Sequence, residues 1–222
     1  MGLMYSVKEA FYSLQGEGAR AGRASVFCRF SGCNLWSGRE RDRLSSACRF
    51  CDTDFVGSDG QNGGRFNNAD SLADHLAGLW PVDGPSEGER RGVPYVVFTG
   101  GEPLLQLDST LTKALHMRGF EIAVETNGTL PAPLGIDWLC VSPKGQTELV
   151  VTQGDELKLV YPQSDNRPER FAELDFGHFY LQPMDRQPLG GNGTTIEATV
   201  AYCLAHPQWQ LSLQTHKIAG ID

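Results

Sequence analysis

The chain has 222 residues, of which 40% are hydrophobic, and its formal net charge is -8. This length fits one domain, 1–222, with a substantial core. The negative charge argues against a nucleic-acid partner, because phosphate contacts need clustered Lys and Arg. No apolar run approaches the roughly 18 residues that span a membrane, and no secretory signal is visible. We therefore expect a cytoplasmic protein whose thiols stay reduced.

Seven short apolar segments with polar ends follow one another along the chain, and each predicts a buried strand. In order they are ASVFCRFSG, PYVVFTGGEP, EIAVETNG, WLCVSPK, ELKLVYPQ, HFYLQPMD and WQLSLQTHK. The residues that follow the N-terminus also alternate like a strand. Helix-like stretches lie between several strands: ADSLADHLAGLW, PLLQLDSTLTKALHMRG, which ends at Gly119, and TTIEATVAYCLAHP. Gly, Pro and charged residues predict loops at 57–64 and 82–92.

Strands that alternate with helices predict βα units and a parallel sheet. The polar residues follow the strands, at the ends where barrel-like α/β folds build their active sites. Seven strands are too few for a closed eight-fold barrel. We therefore expect an α/β fold that forms a partial, open, TIM-like (β/α) barrel.

Three of the six cysteines fall between positions 33 and 51. A structural zinc site normally has four protein ligands, and a thioredoxin-like pair needs a different context from this loop after a strand. A 4Fe–4S cluster held by three thiolates would leave one iron open for a ligand. The spacing alone favours the cluster and leaves the other two interpretations open.

The motifs around these cysteines resemble those of the radical S-adenosylmethionine enzymes. CRFCD resembles the end of that superfamily's cysteine motif, and TGGEPLLQ resembles its GGEP motif. Fourteen residues, rather than the usual three, separate Cys33 from Cys48. This expanded loop, 33–51, is similar to one branch, the 7-carboxy-7-deazaguanine synthases, and so are FYSLQGEG, CDTDF, SPK, QPMD and QTHK. The match runs in order along nearly the whole chain.

The resemblance implies a 4Fe–4S cluster on Cys33, Cys48 and Cys51, with S-adenosylmethionine on the fourth iron. We expect the adjacent glycines of GGEP to let the backbone approach the methionine part without a Cβ, and Glu102 to accept from its ammonium group. The implied cofactor-binding residues are Gly100, Gly101, Glu102, Glu125, Asn127, Ser142, Pro143, Lys144, Gln182, Pro183, Met184 and Asp185.

The implied substrate is 6-carboxy-5,6,7,8-tetrahydropterin. Arg29 lies in an apolar strand, where a charge needs a partner; the substrate carboxylate is the expected partner, and an internal salt bridge is the alternative. The resemblance also implies a Mg²⁺ ion on Thr53, although Asp52 or Asp54 would be the choice from chemistry alone. The implied substrate-binding residues are Leu14, Gln15, Gly16, Glu17, Arg29, Thr99, His216 and Asp222.

The implied reaction is a radical ring contraction that gives 7-carboxy-7-deazaguanine and ammonia, in queuosine-type 7-deazapurine biosynthesis. No side chain is expected to be catalytic beyond the cofactor radical. The expected assembly is a homodimer. Seven Arg against Glu40 and Asp42 lie between Arg20 and Arg49. This basic stretch predicts a docking site for an acidic electron donor of the flavodoxin or ferredoxin type.

Two other interpretations are weaker. A non-catalytic iron–sulfur or zinc module would leave GGEP, ETN and SPK without a role, and it would not cleave the cofactor. An activase that makes glycyl radicals on a protein partner is opposed by the expanded cysteine spacing and by LQGEG.

Overall fold

The computed structural model describes residues 4–81, 92–185 and 194–221. Nine strands form one sheet in the order β3-β1-β2-β4-β5-β6-β7-β8-β9. Asp222 and nearly all of the loop predicted at 82–92 lie outside the described residues. The strands are β1 Tyr5–Leu14, β2 Ala24–Phe30, β3 Gly64–Phe66, β4 Tyr95–Gly100, β5 Glu121–Thr126, β6 Trp138–Val141, β7 Gln153–Tyr161, β8 Asp175–Pro183 and β9 Gln210–Leu211.

The seven predicted strands are the parallel part of this sheet, from β2 through β4 to β9. Their carboxyl ends therefore lie along one edge. The sheet ends in β3 on one side and β9 on the other, so the barrel is open, as predicted. The strand-like alternation after the N-terminus corresponds to β1, but its antiparallel pairing and strand β3 were not predicted. β1 and β3 extend the sheet beyond β2.

In the part of the chain that the structure describes, four helices accompany the sheet: α1 Ala69–Ala77, α2 Ser109–His116, α3 Thr195–Ala205 and α4 Thr215–Ala219. The helix predicted from Pro103 is divided, because Pro103–Leu105 forms a separate 3-10 turn and Asp108 starts α2 by accepting from the N–H groups of Thr110 and Leu111. The last predicted strand is likewise short, and its QTHK end belongs to α4. No helix within the described ranges is both long enough and apolar enough to cross a membrane.

The core lies between the sheet and helices α1 and α2. Leu72 and Leu76 of α1 and Leu111 and Leu115 of α2 are fully buried, on the helical spacing that the sequence predicts. They pack in one cluster with strand residues such as Phe98. Full burial of each leucine stabilises the fold by about 2 kcal/mol. This packing fixes the strands whose carboxyl ends form the site.

Candidate active site

A cavity of about 440 Å³ opens at the carboxyl edge of the parallel strands. Its volume is in the range of sites for small molecules and cofactors. Two of the predicted residues within the described ranges, Glu102 and Pro143, are not part of its lining. Asp222 is outside the described residues. All the others line it: Leu14, Gln15, Gly16, Glu17, Arg29, Cys33, Cys48, Cys51, Thr53, Thr99, Gly100, Gly101, Glu125, Asn127, Ser142, Lys144, Gln182, Pro183, Met184, Asp185 and His216.

Three thiols, from Cys33, Cys48 and Cys51, face this cavity. A hydrogen bond from Cys48, together with the Thr53 N–H and Lys144, lowers the pKa of Cys51 to about 6 against the effect of burial. The thiolate is the form that binds metals. In the described part of the chain, no three His, Cys, Asp or Glu side chains are placed to hold a single metal ion. A 4Fe–4S cluster binds each thiolate at a different iron, so it needs a wider arrangement.

The residues between the first two cysteines have a small core of their own. Trp36 is buried and meets the Phe55 ring edge-on at 5.5 Å between centroids. The Arg43 guanidinium lies 4.2 Å from the centre of the Trp36 ring and donates to the carbonyls of Arg49 and Cys51. Trp36 and Arg43 therefore hold the Cys48–Cys51 segment in place, a role that the sequence did not suggest.

The glycine pair of GGEP is packed against the backbone that leads to Cys33. Gly100 has a φ of 134°, in the region that favours glycine. A Cβ on Gly100 would overlap the backbone of Phe30, and one on Gly101 would overlap the Gly32 carbonyl and approach the Cys33 Cβ at 2.8 Å. The predicted reason for the glycines was approach of a cofactor. The structure adds a second reason, because the pair lets β4 contact the first cysteine loop.

The carboxylate of Glu102 differs from the prediction. It is fully buried and accepts from the Leu104 N–H at 2.9 Å, the Thr126 hydroxyl at 2.6 Å and the Asn127 N–H at 2.8 Å. These three donors hold its oxygens, and Glu102 is not among the residues that line the cavity. Glu102 therefore joins the carboxyl ends of β4 and β5 from behind the cavity wall.

The side chains of ETN and SPK have unequal freedom to meet a ligand. The Asn127 amide is occupied by Asn34 and Thr129. Lys144 donates to the Ser142 hydroxyl at 2.7 Å, and it has no acidic partner among the described residues. Its ammonium faces the cavity beside the cysteines, where a ligand carboxylate would accept hydrogen bonds from it.

A buried ionic network forms another part of the wall. Lys158 on β7 lies 2.6 Å from Glu17 Oε2 and 3.2 Å from Glu125 Oε2, and its side chain is 4% exposed. Gln15 joins the same network by donating to Glu125 at 2.8 Å. Lys158 was not predicted as a site residue. The signal was present, because a lone charge in the apolar segment ELKLVYPQ needs a partner for the same reason as Arg29.

Glu17 is the centre of this network. Gln182 and Gln214 donate to its Oε1 at 3.1 and 2.9 Å. Burial alone would raise the pKa of Glu17, but Lys158, the hydrogen bond from Gln214 and the nearby His216 lower it to about 2. Glu17 is therefore a carboxylate at neutral pH. The Oε1 of Gln182 is buried and has no partner among the described residues.

Arg29 and Thr99 are neighbours across β2 and β4. The Arg29 Nε donates to Glu9 at 2.7 Å, so the internal salt bridge that the sequence left open is present. Arg29 also lines the cavity. A guanidinium has five N–H donors, so the pair with Glu9 leaves donors available to a second carboxylate.

Thr53 lies between two aspartates that lysines already hold. Lys217 reaches Asp52 at 3.1 Å, and Lys8 reaches Asp54 at 2.9 Å. Lys8 also pairs with Asp59 and donates to the Val56 carbonyl, which fixes the loop after Thr53. Both carboxylates next to Thr53 are thus ion-paired, and each lysine is shared with a second aspartate, Asp185 for Lys217 and Asp59 for Lys8.

Residues 214–217 cross the cavity and connect its two sides. The Thr215 N–H and hydroxyl both donate to the Gly16 carbonyl at 2.9 Å, and a Cβ on Gly16 would overlap the His216 ring. On the opposite side, Lys217 pairs with Asp52 and Asp185. His216, Gly16 and Glu17 are therefore brought together, although about 200 positions separate them.

The chain is similar to curated proteins along its whole length. It is 62% identical over 219 residues to the 7-carboxy-7-deazaguanine synthase of Bordetella pertussis and 59% identical over 219 residues to that of Caulobacter vibrioides, with 99% of this chain and 100% of each relative covered. The crystal structure of QueE from Escherichia coli superposes with a TM-score of 0.68 at 22% identity, over 95% of this chain and 93% of that one, and so supports the fold. No protein-family model matches the chain.

Proposed function

Because the chain belongs to the family of the 7-carboxy-7-deazaguanine synthases, we propose that the cavity is where it converts 6-carboxy-5,6,7,8-tetrahydropterin into 7-carboxy-7-deazaguanine. The chain is a lyase of the radical S-adenosylmethionine type that acts in 7-deazapurine biosynthesis. One observation carries the assignment of the site: three thiols, an unpaired lysine and an ionised glutamate line one cavity. We infer that 1–222 works as one domain, since all of these groups line one cavity at the carboxyl edge of a single sheet.

The donor set of the cavity fits the 4Fe–4S cluster and S-adenosylmethionine. Cys33, Cys48 and Cys51 supply the thiolates, and Lys144 offers an ammonium to the cofactor carboxylate. The orphaned Oε1 of Gln182 is suited to a ligand N–H. When bound, the cluster and S-adenosylmethionine supply the carbon radical that takes hydrogen from C6 of the pterin. Glu102 and Asn127 support the walls, while Glu125 lines the cavity and is held there by Gln15 and Lys158.

The protein's own residues position the substrate and exclude water. Arg29 and Thr99 present donors side by side for the pterin carboxylate, and Glu17 presents an acceptor to its N–H edge. Positioning of the substrate accounts for much of the rate of such a reaction, because the radical must reach one particular C–H bond. Apolar rings keep that space poor in water; they belong to Phe11, Phe27, Trp36, Phe50 and Phe55.

The test of this function is anaerobic incubation of the cluster-loaded protein with reductant, S-adenosylmethionine and the carboxytetrahydropterin. Mass analysis should find 7-carboxy-7-deazaguanine and ammonia. Cofactor cleavage without any change in the pterin would contradict the substrate and leave the cofactor assignment intact.

We propose Thr53 as the protein ligand of a Mg²⁺ ion beside the substrate. The support is its position in the wall between two aspartates that are already ion-paired, Asp52 with Lys217 and Asp54 with Lys8. Mg²⁺ keeps several waters and takes few protein oxygens. A hydroxyl next to an anionic substrate meets that need without adding a third carboxylate.

The Thr53→Ala variant should need about tenfold more Mg²⁺ for half-maximal turnover, the size of effect expected from disturbing a metal site. Thr53→Ser keeps the hydroxyl and should behave like the parent. Iron content should stay unchanged in both variants. An unaltered Mg²⁺ dependence in Thr53→Ala would move the ligand to Asp52 or Asp54.

We propose that an acidic flavodoxin- or ferredoxin-type protein donates electrons at the outer face of the loop 33–51. Some arginines of the basic stretch are not available to such a donor. Arg43 is not, because its side chain is only 14% exposed and pairs with Glu40. Arg29 and Arg23 are also paired, with Glu9 and Glu121. The basic patch is therefore smaller than the sequence suggested. It consists of the exposed Arg39, Arg41 and Arg49, beside Leu44, which is 86% exposed.

Reversing Arg39, Arg41 and Arg49 to Glu should slow turnover driven by the protein donor by about tenfold at low salt, because opposite patches raise encounter rates. The loss should shrink as salt rises, and turnover driven by dithionite should be unchanged. Reversal of Arg65 on β3 and Lys113 on α2, both exposed, is the matched control. Equal losses with both reductants would make the patch structural.

We also propose a homodimer that works in the reducing cytoplasm. The support for the dimer is the apolar stripe Ile196, Val200 and Leu204 on α3, which is 50%, 36% and 80% exposed. Apolar patches of this kind are typical of interfaces.

The support for the compartment is that all six cysteines are free thiols. A single-chain mass in sedimentation equilibrium would contradict the dimer, and secretion of the native protein would contradict the compartment.

A further inference from the structure

Lys158 contacts both sides of the ligand cavity at once. Its ammonium pairs with Glu17, in the segment assigned to the substrate, and with Glu125, in the segment assigned to the cofactor. Within the described ranges it is the only cation at ion-pair distance from either carboxylate. Its side chain is almost completely removed from water, so its charge acts on these two groups with little screening.

The charges of this group do not cancel. Two carboxylates and one ammonium leave a net charge of -1 in a buried place. Without Lys158 the two carboxylates would face each other, and such a pair retains a proton that it would otherwise lose. A protonated Glu17 would offer an O–H donor where the substrate presents N–H donors.

We propose that Lys158 is a positioning residue for the pterin: it holds Glu17 as a fixed, ionised acceptor at the cavity wall. The proposal rests on the function proposed above. The hydrogen bonds of Glu17 support it, because Lys158 takes Oε2 while Gln182 and Gln214 take Oε1. A carboxylate accepts about four hydrogen bonds, so one position on Oε2 stays open to the ligand.

Other ionisable groups near Glu17 are accounted for. Glu156 on β7 accepts from the Ala19 N–H at 2.9 Å and lies beside the Cys140 thiol, and burial raises its pKa. Arg20 stacks on Trp138 at 4.1 Å, and His216 on α4 packs against Gly16. These groups are the same in every Lys158 variant, so a difference in pH dependence between variants reports on the network.

The experiment measures binding of the carboxytetrahydropterin to cluster-loaded enzyme at saturating S-adenosylmethionine, without reductant, across neutral pH. The parent should bind with nearly constant affinity. Lys158→Met should bind about tenfold more weakly or worse at the acidic end. Its affinity should recover as pH rises, because an unpaired Glu17 has a raised pKa and becomes an acceptor only after it loses its proton. Lys158→Arg keeps the charge and should stay pH-independent.

A second change separates charge from packing. The Lys158→Met/Glu125→Gln double variant restores the net charge of -1 and should regain most of the affinity and the flat pH profile. Where Lys158→Met does not fold, as judged by circular dichroism and iron content, the double variant compared with Glu125→Gln alone carries the test. A Lys158→Met protein with parental affinity, or with a pH-independent loss that the second change does not rescue, would overturn the proposal. A parent enzyme that does not bind the pterin would instead overturn the proposed function.

Discussion

The Cys33→Ala, Cys48→Ala and Cys51→Ala variants are expected to lose the brown iron–sulfur chromophore and all cofactor cleavage. Each cysteine supplies one of only three thiols in the cavity, so none can replace another. The effect on turnover should exceed the roughly 10–100-fold losses that follow changes around a metal site rather than in it. Visible absorption, iron content and 5′-deoxyadenosine production measure the result.

Cys203→Ala is the matched control. Its thiol is half-buried on α3, away from the cavity, so the chromophore and cleavage should both persist. Cys28 and Cys140 are buried and also lie outside the cavity lining. Replacing either residue with Ala should disturb only the packing of the core. The iron content per folded chain should therefore be unchanged. A Cys33→Ala protein with a normal cluster would be incompatible with the three-cysteine assignment.

The Glu102→Ala variant should lose about 3 kcal/mol or more of its free energy of unfolding. The substitution removes an acceptor of three hydrogen bonds and leaves the N–H groups of Leu104 and Asn127 and the Thr126 hydroxyl without their partner. A hydrogen bond to a charged group contributes about 1.5–3 kcal/mol, and a buried unsatisfied donor costs about 1–3 kcal/mol. The loss is large against a total stability of roughly 5–15 kcal/mol.

Chemical denaturation of the variant measures this loss, and Glu173→Ala provides the control. Glu173 is exposed, so its replacement should change stability by less than about 0.5 kcal/mol. The contrary outcome is a Glu102→Ala protein that is as stable as the parent but binds S-adenosylmethionine more weakly. That result would support the predicted contact between Glu102 and the cofactor.

The parallel strands were predictable from sequence because their apolar runs are short and end in polar residues. The cavity followed from the same pattern, since parallel strands bring those ends to one edge. The placement of Glu102 outside the cavity lining was not predictable, because its motif identifies the turn but not the direction of the side chain. β3 and the antiparallel pairing of β1 were not predicted, because pairing at the end of a sheet depends on contacts distant in sequence.

Ion pairs were the least predictable part of the site. Arg29 and Lys158 both interrupt apolar strands, but the sequence gives no partner for either. Their partners, Glu9 and Glu17, lie 20 and 141 positions away. The same holds for Asp52 and Asp54, which pair with Lys217 and Lys8. The same residue type can bind a ligand or stabilise the wall of the cavity. Only the folded structure distinguishes these two roles.

The contact between residues 214–217 and Gly16–Glu17 has a consequence for biosynthesis. It joins positions nearly 200 apart, whereas the three cysteines span 19 positions. Contacts of high sequence separation form late, since loop closure must precede them. On a growing chain, residues 33–51 leave the ribosome long before the segment that crosses the cavity. The metal-binding loop can therefore be assembled long before the pterin-binding wall, and a prematurely ended chain would keep its thiols but have no complete substrate pocket.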